Sequence, residues 1–232
     1  MPATRTIIVT FPSGSDANWF TASEVIDHHL NTAGTPVRRF AVRHRRMIGW
    51  ITRWFDTNLL DAVRRFGSVT RAAGGRISRL NLPATATIAN NEATARWRIW
   101  RQHIATTTPI ARTWEDFQAQ HRADPKKISL DEARRRFEQQ PRVLAMIAMS
   151  AHPTAAHIFD PYELDAYQAG EATYAALHWK TALVGEALIT AEGQLLEPTS
   201  PSLADRLRYL QRATSYLHGM RPSQRLCAVA ID

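Results

Sequence analysis

Apolar and polar positions along the chain follow two periods, and each period marks out its own elements. RTIIVTF (5–11) is a short β-branched run halted by Pro12 and the turn residues Ser13, Gly14, Ser15 and Asp16, which predicts a buried strand. Thr21 and Glu24 have the spacing of a capping box and open a predicted helix to about residue 32, with Gly34 at its C-terminal turn. PVRRFAVR (36–43) alternates in part and predicts a second strand. Between 45 and 67, Met47, Ile51, Trp54, Phe55, Leu59 and Phe66 fall on one helical face. Arg46, Arg53 and Arg64 fall nearly opposite, and Gly67 marks a stop.

Further along, the period of 3.6 dominates. Helices are predicted over 92–105, 113–122, 129–140, 142–151 and within 160–179, with a second capping box at Ser129 and Glu132. Residues 182–198 read as a hairpin turning at AEGQ. Residues 202–220 form an amphipathic helix with Leu203, Leu207, Leu210 and Leu217 inward. RLCAVAI (225–231) is apolar on both faces and therefore a central strand. The expected fold is a single α+β domain over 1–232. A small mixed sheet comes from the N- and C-terminal strands plus the hairpin, and the middle of the chain is mostly helical.

Charge divides this picture unevenly. Residues 1–112 hold 16 Arg and no Lys against 6 acids, whereas residues 113–232 hold 13 basic against 15 acidic residues. The expectation is a basic N-terminal subdomain at 1–112 beside a near-neutral remainder, and a polyanionic partner for the first. Cys227 is the lone cysteine, no apolar run approaches a membrane span, and no leader pattern opens the chain, so the expected compartment is the cytoplasm.

Several short stretches carry candidate chemistry. Asp27-His28-His29 is similar to a metal-ligand triplet of a large group of phosphoesterases. Those place it at a strand end, and consecutive residues on a helix project about 100° apart, so the likeness is not carried over. His152, His157 and Asp160 are metal-ligand types in one short span, but a separation of five between the histidines misses the helical pair. Asp160 reads instead as an N-cap before Pro161. PSGSD (12–16) follows a strand and could present backbone N–H groups to a phosphate, although no Gly-rich nucleotide fingerprint is present. GSVTRAA (67–73) resembles the first part of the helix-turn-helix of LysR-type transcription regulators. The resemblance implies that Ser68 caps, that Val69 and Ala72 face inward, and that Leu82 to Ile88 start a reading helix. In RWRIWRQH (96–103) the arginines and Trp97 and Trp100 suit single-stranded nucleic acid, but the Trp spacing reads first as a core stripe.

The leading expectation is a non-enzymatic nucleic-acid-binding accessory or regulatory protein. It would neutralise phosphates through Arg38, Arg39, Arg43, Arg45, Arg46, Arg53, Arg64, Arg71, Arg76 and Arg79, with no base readout. One alternative is a metal-dependent hydrolase or phosphoesterase built on His152, His157 and Asp160. The other is an interaction module docking an acidic protein. No cofactor is expected, since no nucleotide fingerprint occurs, and the absence of a nucleophile elbow leaves no mark of a catalytic triad.

Overall fold

The computed structural model describes residues 5–15, 17–43, 58–65, 68–153 and 158–231. Its strands are β1 (Arg5–Phe11), β2 (Thr35–Pro36), β3 (Phe40–Ala41), β4 (Leu59–Arg65), β5 (Ser68–Arg76), β6 (Ala187–Ile189), β7 (Leu195–Leu196) and β8 (Arg225–Ile231). The α-helices of the described residues are α1 (Trp19–Leu30), α2 (Leu82–Trp100), α3 (Trp114–Ala123), α4 (Leu130–Glu138), α5 (Pro141–Ala151), α6 (Leu164–Gln168), α7 (Glu171–Val184) and α8 (Leu203–Gly219). The architecture is α+β, with one mixed sheet and a helical middle, as the period analysis predicts. None of these helices is long and apolar enough to cross a membrane.

The sheet runs β3-β5-β8-β1-β6-β7, with β2 on β8 and β4 on β5. Strand β8 sits inside it, antiparallel to β1 from Arg5↔Ile231 to Phe11↔Arg225, and its run from Leu226 to Val229 is fully buried. This is what an uninterrupted apolar run predicts for a strand covered on both faces. Strand β6 adds parallel to β1, and the hairpin closes with Leu188↔Leu196 and Ile189↔Leu195. One face of the sheet presents Ile7, Val9 and Phe11 with Cys227 and Val229 to Ala22 and Ile26 of α1. On the other face Thr10 Oγ1 lies 3.2 Å from the Tyr216 hydroxyl of α8, and Tyr209 of the same helix donates to the carbonyl of Val184 at 2.9 Å.

Four expectations are corrected. The helix predicted over 45–67 does not extend through its second half. Leu59–Arg65 is strand β4, and positions 45–57, 66 and 67 of the predicted helix lie outside the described residues. GSVTRAA is not a helix-turn-helix, because Ser68–Arg76 is strand β5. Both errors have one cause: β4 and β5 pair antiparallel over nearly their whole length, and a ladder partner overrides a helical spacing of apolar residues. The ladder passes over Thr70, pairing Val63 with Arg71 but Arg64 with Val69. That bulge flips the parity and brings Val69 into the buried cluster of Val42 and Ala72. The predicted strand at 36–43 is two short bridges, β2 and β3. Finally, the capping box of α1 starts one turn early: Asn18 Oδ1 accepts from Thr21 N at 2.9 Å, and Thr21 Oγ1 accepts from Asn18 N at 3.0 Å. Asn18 is itself a strong capping residue, and the helix keeps Trp19 and Phe20 by using it.

Gly74 and Gly75 are needed where β5 crosses its neighbours. A Cβ on Gly74 would lie 2.0 Å from the Leu226 carbonyl oxygen of β8, and Gly75 has φ +141°. Only a residue without a side chain permits both the close approach and the backbone turn.

The residues group into two compact units. A sheet unit comprises Met1–Ala89, Trp179–Ser200 and Ala204–Asp232, and a helical unit comprises Asn90–His178 and Pro201–Leu203. In the helical unit the side chains of Trp100, Phe137, Met146, Leu164, Tyr167 and Tyr174 are buried, and Tyr174 donates to the Tyr167 hydroxyl at 2.7 Å.

Candidate nucleic-acid interface

Of the ten predicted arginines, Arg45, Arg46 and Arg53 lie outside the described residues. Three of the remaining seven are committed to the fold. Arg38 grips Asp61 bidentately, with Nε and Nη2 each 2.8 Å from a carboxylate oxygen. Asp61 holds a left-handed φ of 45°, a conformation that Asp tolerates better than most side chains. Arg39 turns inward and donates from Nη2 to the Thr181 carbonyl at 2.8 Å, and its Nη1 is buried without a partner. Burial pushes the Arg39 guanidinium below its ordinary pKa, and the nearby Glu186 and Tyr209 pull it back up. Arg43 donates from Nε to the Leu80 carbonyl at 3.0 Å. Arg64 is exposed on β4 and Arg79 is half-buried after β5, and each has interactions of its own.

Arg71 and Arg76 differ from these. Both are exposed on β5, and among the described residues neither side chain meets a carboxylate. Arg76 stands directly opposite Arg225 in the antiparallel pair of β5 with β8, and Arg225 stands opposite Phe11 on β1. Side chains opposite one another across a ladder point to the same face about 5 Å apart, so two arginines there repel. Arg225 anchors itself by donating from Nη1 to the Ala17 carbonyl at 3.2 Å, at the start of α1.

A third free arginine is drawn in by the turn that leads into β8. Backbone bonds from Ile77 N to the Gln224 carbonyl (3.0 Å) and from Ser78 N to the Pro222 carbonyl (3.1 Å) fix this turn against the end of β5. Gln224 Oε1 accepts from Arg221 N at 2.6 Å, and the Arg221 side chain is exposed. Ser223 and Ser13 share a hydroxyl hydrogen bond of 2.7 Å, which brings the loop after β1 to the same place. One end of the sheet therefore gathers Arg76, Arg221 and Arg225 with Ser13 and Ser223. Arg221 and Arg225 were absent from the sequence-predicted set, because they sit in the near-neutral half of the chain. Of the earlier signals, Arg76 and the Ser13-Gly14-Ser15 loop pointed here.

The charge is also sorted by unit. The sheet unit has 18 basic against 10 acidic residues, and the helical unit has 11 against 11. The whole net charge of +8 belongs to the sheet unit.

The other candidates are placed as follows. Asp27, His28 and His29 lie on α1, and the imidazole rings sit 5.5 Å apart, edge to face. His157 lies outside the described residues. Asp160 Oδ1 accepts from Tyr162 N at 2.9 Å and caps the short 3₁₀ turn that Pro161 opens, as its N-cap reading expects. Among the described residues no group of three or more His, Cys, Asp or Glu side chains is arranged to hold a metal ion. Trp100 is buried, and Trp97 donates from Nε1 to the Tyr167 carbonyl at 2.9 Å, so both serve the core of the helical unit. Cys227 is buried in β8, and burial pushes its thiol up to about 12, which leaves no thiolate for nucleophilic chemistry.

Comparison of the chain with protein-family models, curated proteins and solved structures finds no match.

Proposed function

We propose that the protein is a non-enzymatic nucleic-acid-binding accessory or regulatory protein that holds phosphates at one end of its sheet. The observation that carries this reading is the pairing of Arg76 with Arg225 beside the exposed Arg221, with no carboxylate among the described residues between them. Like charges set opposite one another in a ladder cost stability unless an anion lies over them. A phosphate backbone supplies that anion, and guanidinium groups bind it in bidentate fashion. The set differs from the one charge alone suggests: Arg38 is held by Asp61 and Arg39 turns inward, whereas the sheet end has Arg76, Arg221 and Arg225, the last with one N–H on the Ala17 carbonyl. A buried, protonated Cys227 fits a reducing compartment such as the cytoplasm.

The test is a salt titration of binding to a labelled oligonucleotide. The expected slope of log K against log salt is negative, and shrinks by about 1 for each arginine removed in Arg76→Ala and Arg221→Ala. A slope that both substitutions leave unchanged sinks this placement. Retention of an acidic protein after nuclease treatment, with no oligonucleotide binding at low salt, replaces nucleic acid by a protein partner.

A further inference from the structure

We infer that this sheet end takes a single strand, with Phe20 as the surface on which an unpaired base stacks. The inference rests on the nucleic-acid reading above and adds the form of the ligand. Phe20 is 60% exposed, on the first turn of α1. Among the described residues the other exposed aromatic ring is Tyr162, and that one is occupied: it stacks on Phe137 at 5.6 Å and accepts from Arg134 Nε at 3.0 Å. Among the described residues Phe20 has a ring contact with its neighbour alone. The Trp19 ring stacks beneath it at 3.7 Å and 28°, and Trp19 packs in turn against the core shared by α1 and the sheet. The result is an aromatic ledge fixed from below and open above.

Its position ties it to the arginines. Arg225 donates to the Ala17 carbonyl, two residues before Trp19, so the guanidinium that faces Arg76 also lies against the entry to α1. The first turn of α1 carries no acid. Glu24 is its first carboxylate, one turn beyond Phe20 on the same exposed face, and it disfavours phosphates running along the helix. A strand seated on Phe20 is therefore steered across the sheet end, toward Arg225, Arg76 and Arg221. Cationic groups tracking the backbone beside a ring that accepts any base is the usual arrangement for binding single strands without sequence preference. A duplex cannot use the ledge, because its base faces are already stacked on each other.

The experiment measures fluorescence anisotropy of a labelled oligothymidine and of a duplex of equal length. It uses the full chain as wild type, Phe20→Ala, Phe20→Trp and Arg76→Ala, with circular dichroism melts as the folding control. The expected result is a loss of about tenfold in single-strand affinity for Phe20→Ala, retention in Phe20→Trp, and duplex binding within about twofold throughout the Phe20 series. Arg76→Ala weakens both ligands. If Phe20→Ala leaves single-strand binding unchanged while Arg76→Ala still weakens it, the ledge is overturned and the phosphate reading survives. If the wild type binds neither ligand at low salt, both fall.

Discussion

Arg142 of the helical unit is 5% exposed and feeds a closed set of acceptors: Thr108 Oγ1 at 3.3 Å, Gln168 Oε1 at 2.7 Å and the carbonyls of Ala105 and Thr108 at 3.2 and 2.9 Å. Its guanidinium also faces the Trp100 ring at 5.5 Å. Arg76 of the sheet unit is exposed, and among the described residues its side chain donates to nothing. The contrast is one of partners more than of units: Arg101 and Arg122 of the helical unit are exposed with no hydrogen bond or ion pair among the described residues, and Arg5 and Arg38 of the sheet unit are ion-paired. In the helical unit Arg98 meets Glu171, Arg134 meets Tyr162 and Glu138, and Arg135 and Arg136 share Glu132. In the sheet unit Arg71, Arg76 and Arg221 are exposed, and among the described residues their side chains meet no acceptor. The arginine count of a region thus says little about its free surface charge. That charge is what is left after internal acceptors are satisfied.

Arg142→Leu breaks the comparison most sharply. It takes the donors from two part-buried carbonyls and one of the two donors from Gln168 Oε1, so a cost of about 3 kcal/mol and a Tm lower by roughly 6–12 °C are expected in a thermal melt. At a temperature where the variant is folded, oligonucleotide affinity stays at the wild-type value. A loss of affinity there would mean that the helical unit's arginines serve binding as well.

Alkaline pH separates core from surface in another way. The Cys227 thiol is raised to about 12 from 9.0 by burial and then by Asp61, and burial also raises the hydroxyls of Tyr209, Tyr167 and Tyr174. The unfolded thiol loses its proton first, so the unfolded state binds fewer protons between pH 9 and about 12 and stability falls as pH rises through that window. The slope from this one group approaches about 1.4 kcal/mol per pH unit. Cys227→Ala flattens the Tm-against-pH curve above 9, and an unchanged curve contradicts the account.

The smallest effect sharpens the contrast between paired and unpaired exposed arginine. Arg98→Ala removes a solvent-facing ion pair of 2.9 Å, worth under about 1 kcal/mol, and leaves the oligonucleotide salt slope unchanged. A slope that drops as it does for Arg76→Ala would erase the distinction between the units.

The sequence by itself determined the elements whose signals are local. β1 and β8 follow from apolar runs bounded by turn residues, and Ser129 and Asp160 each cap where their spacing predicts, although Glu132 turns its carboxylate to Arg135 and Arg136 and does not complete the box. The hairpin and the long α8 are legible for the same reason, since a short segment carries its own period. Tertiary pairing alone decided β4 and β5, because a run of mixed apolar and basic residues fits either period until a partner strand takes its backbone groups. It also decided the site. Arg76 and Arg225 lie 149 positions apart and meet only through ladder register. Whether an arginine is spent on a carbonyl or left for a ligand depends on acceptors that the fold alone brings within reach.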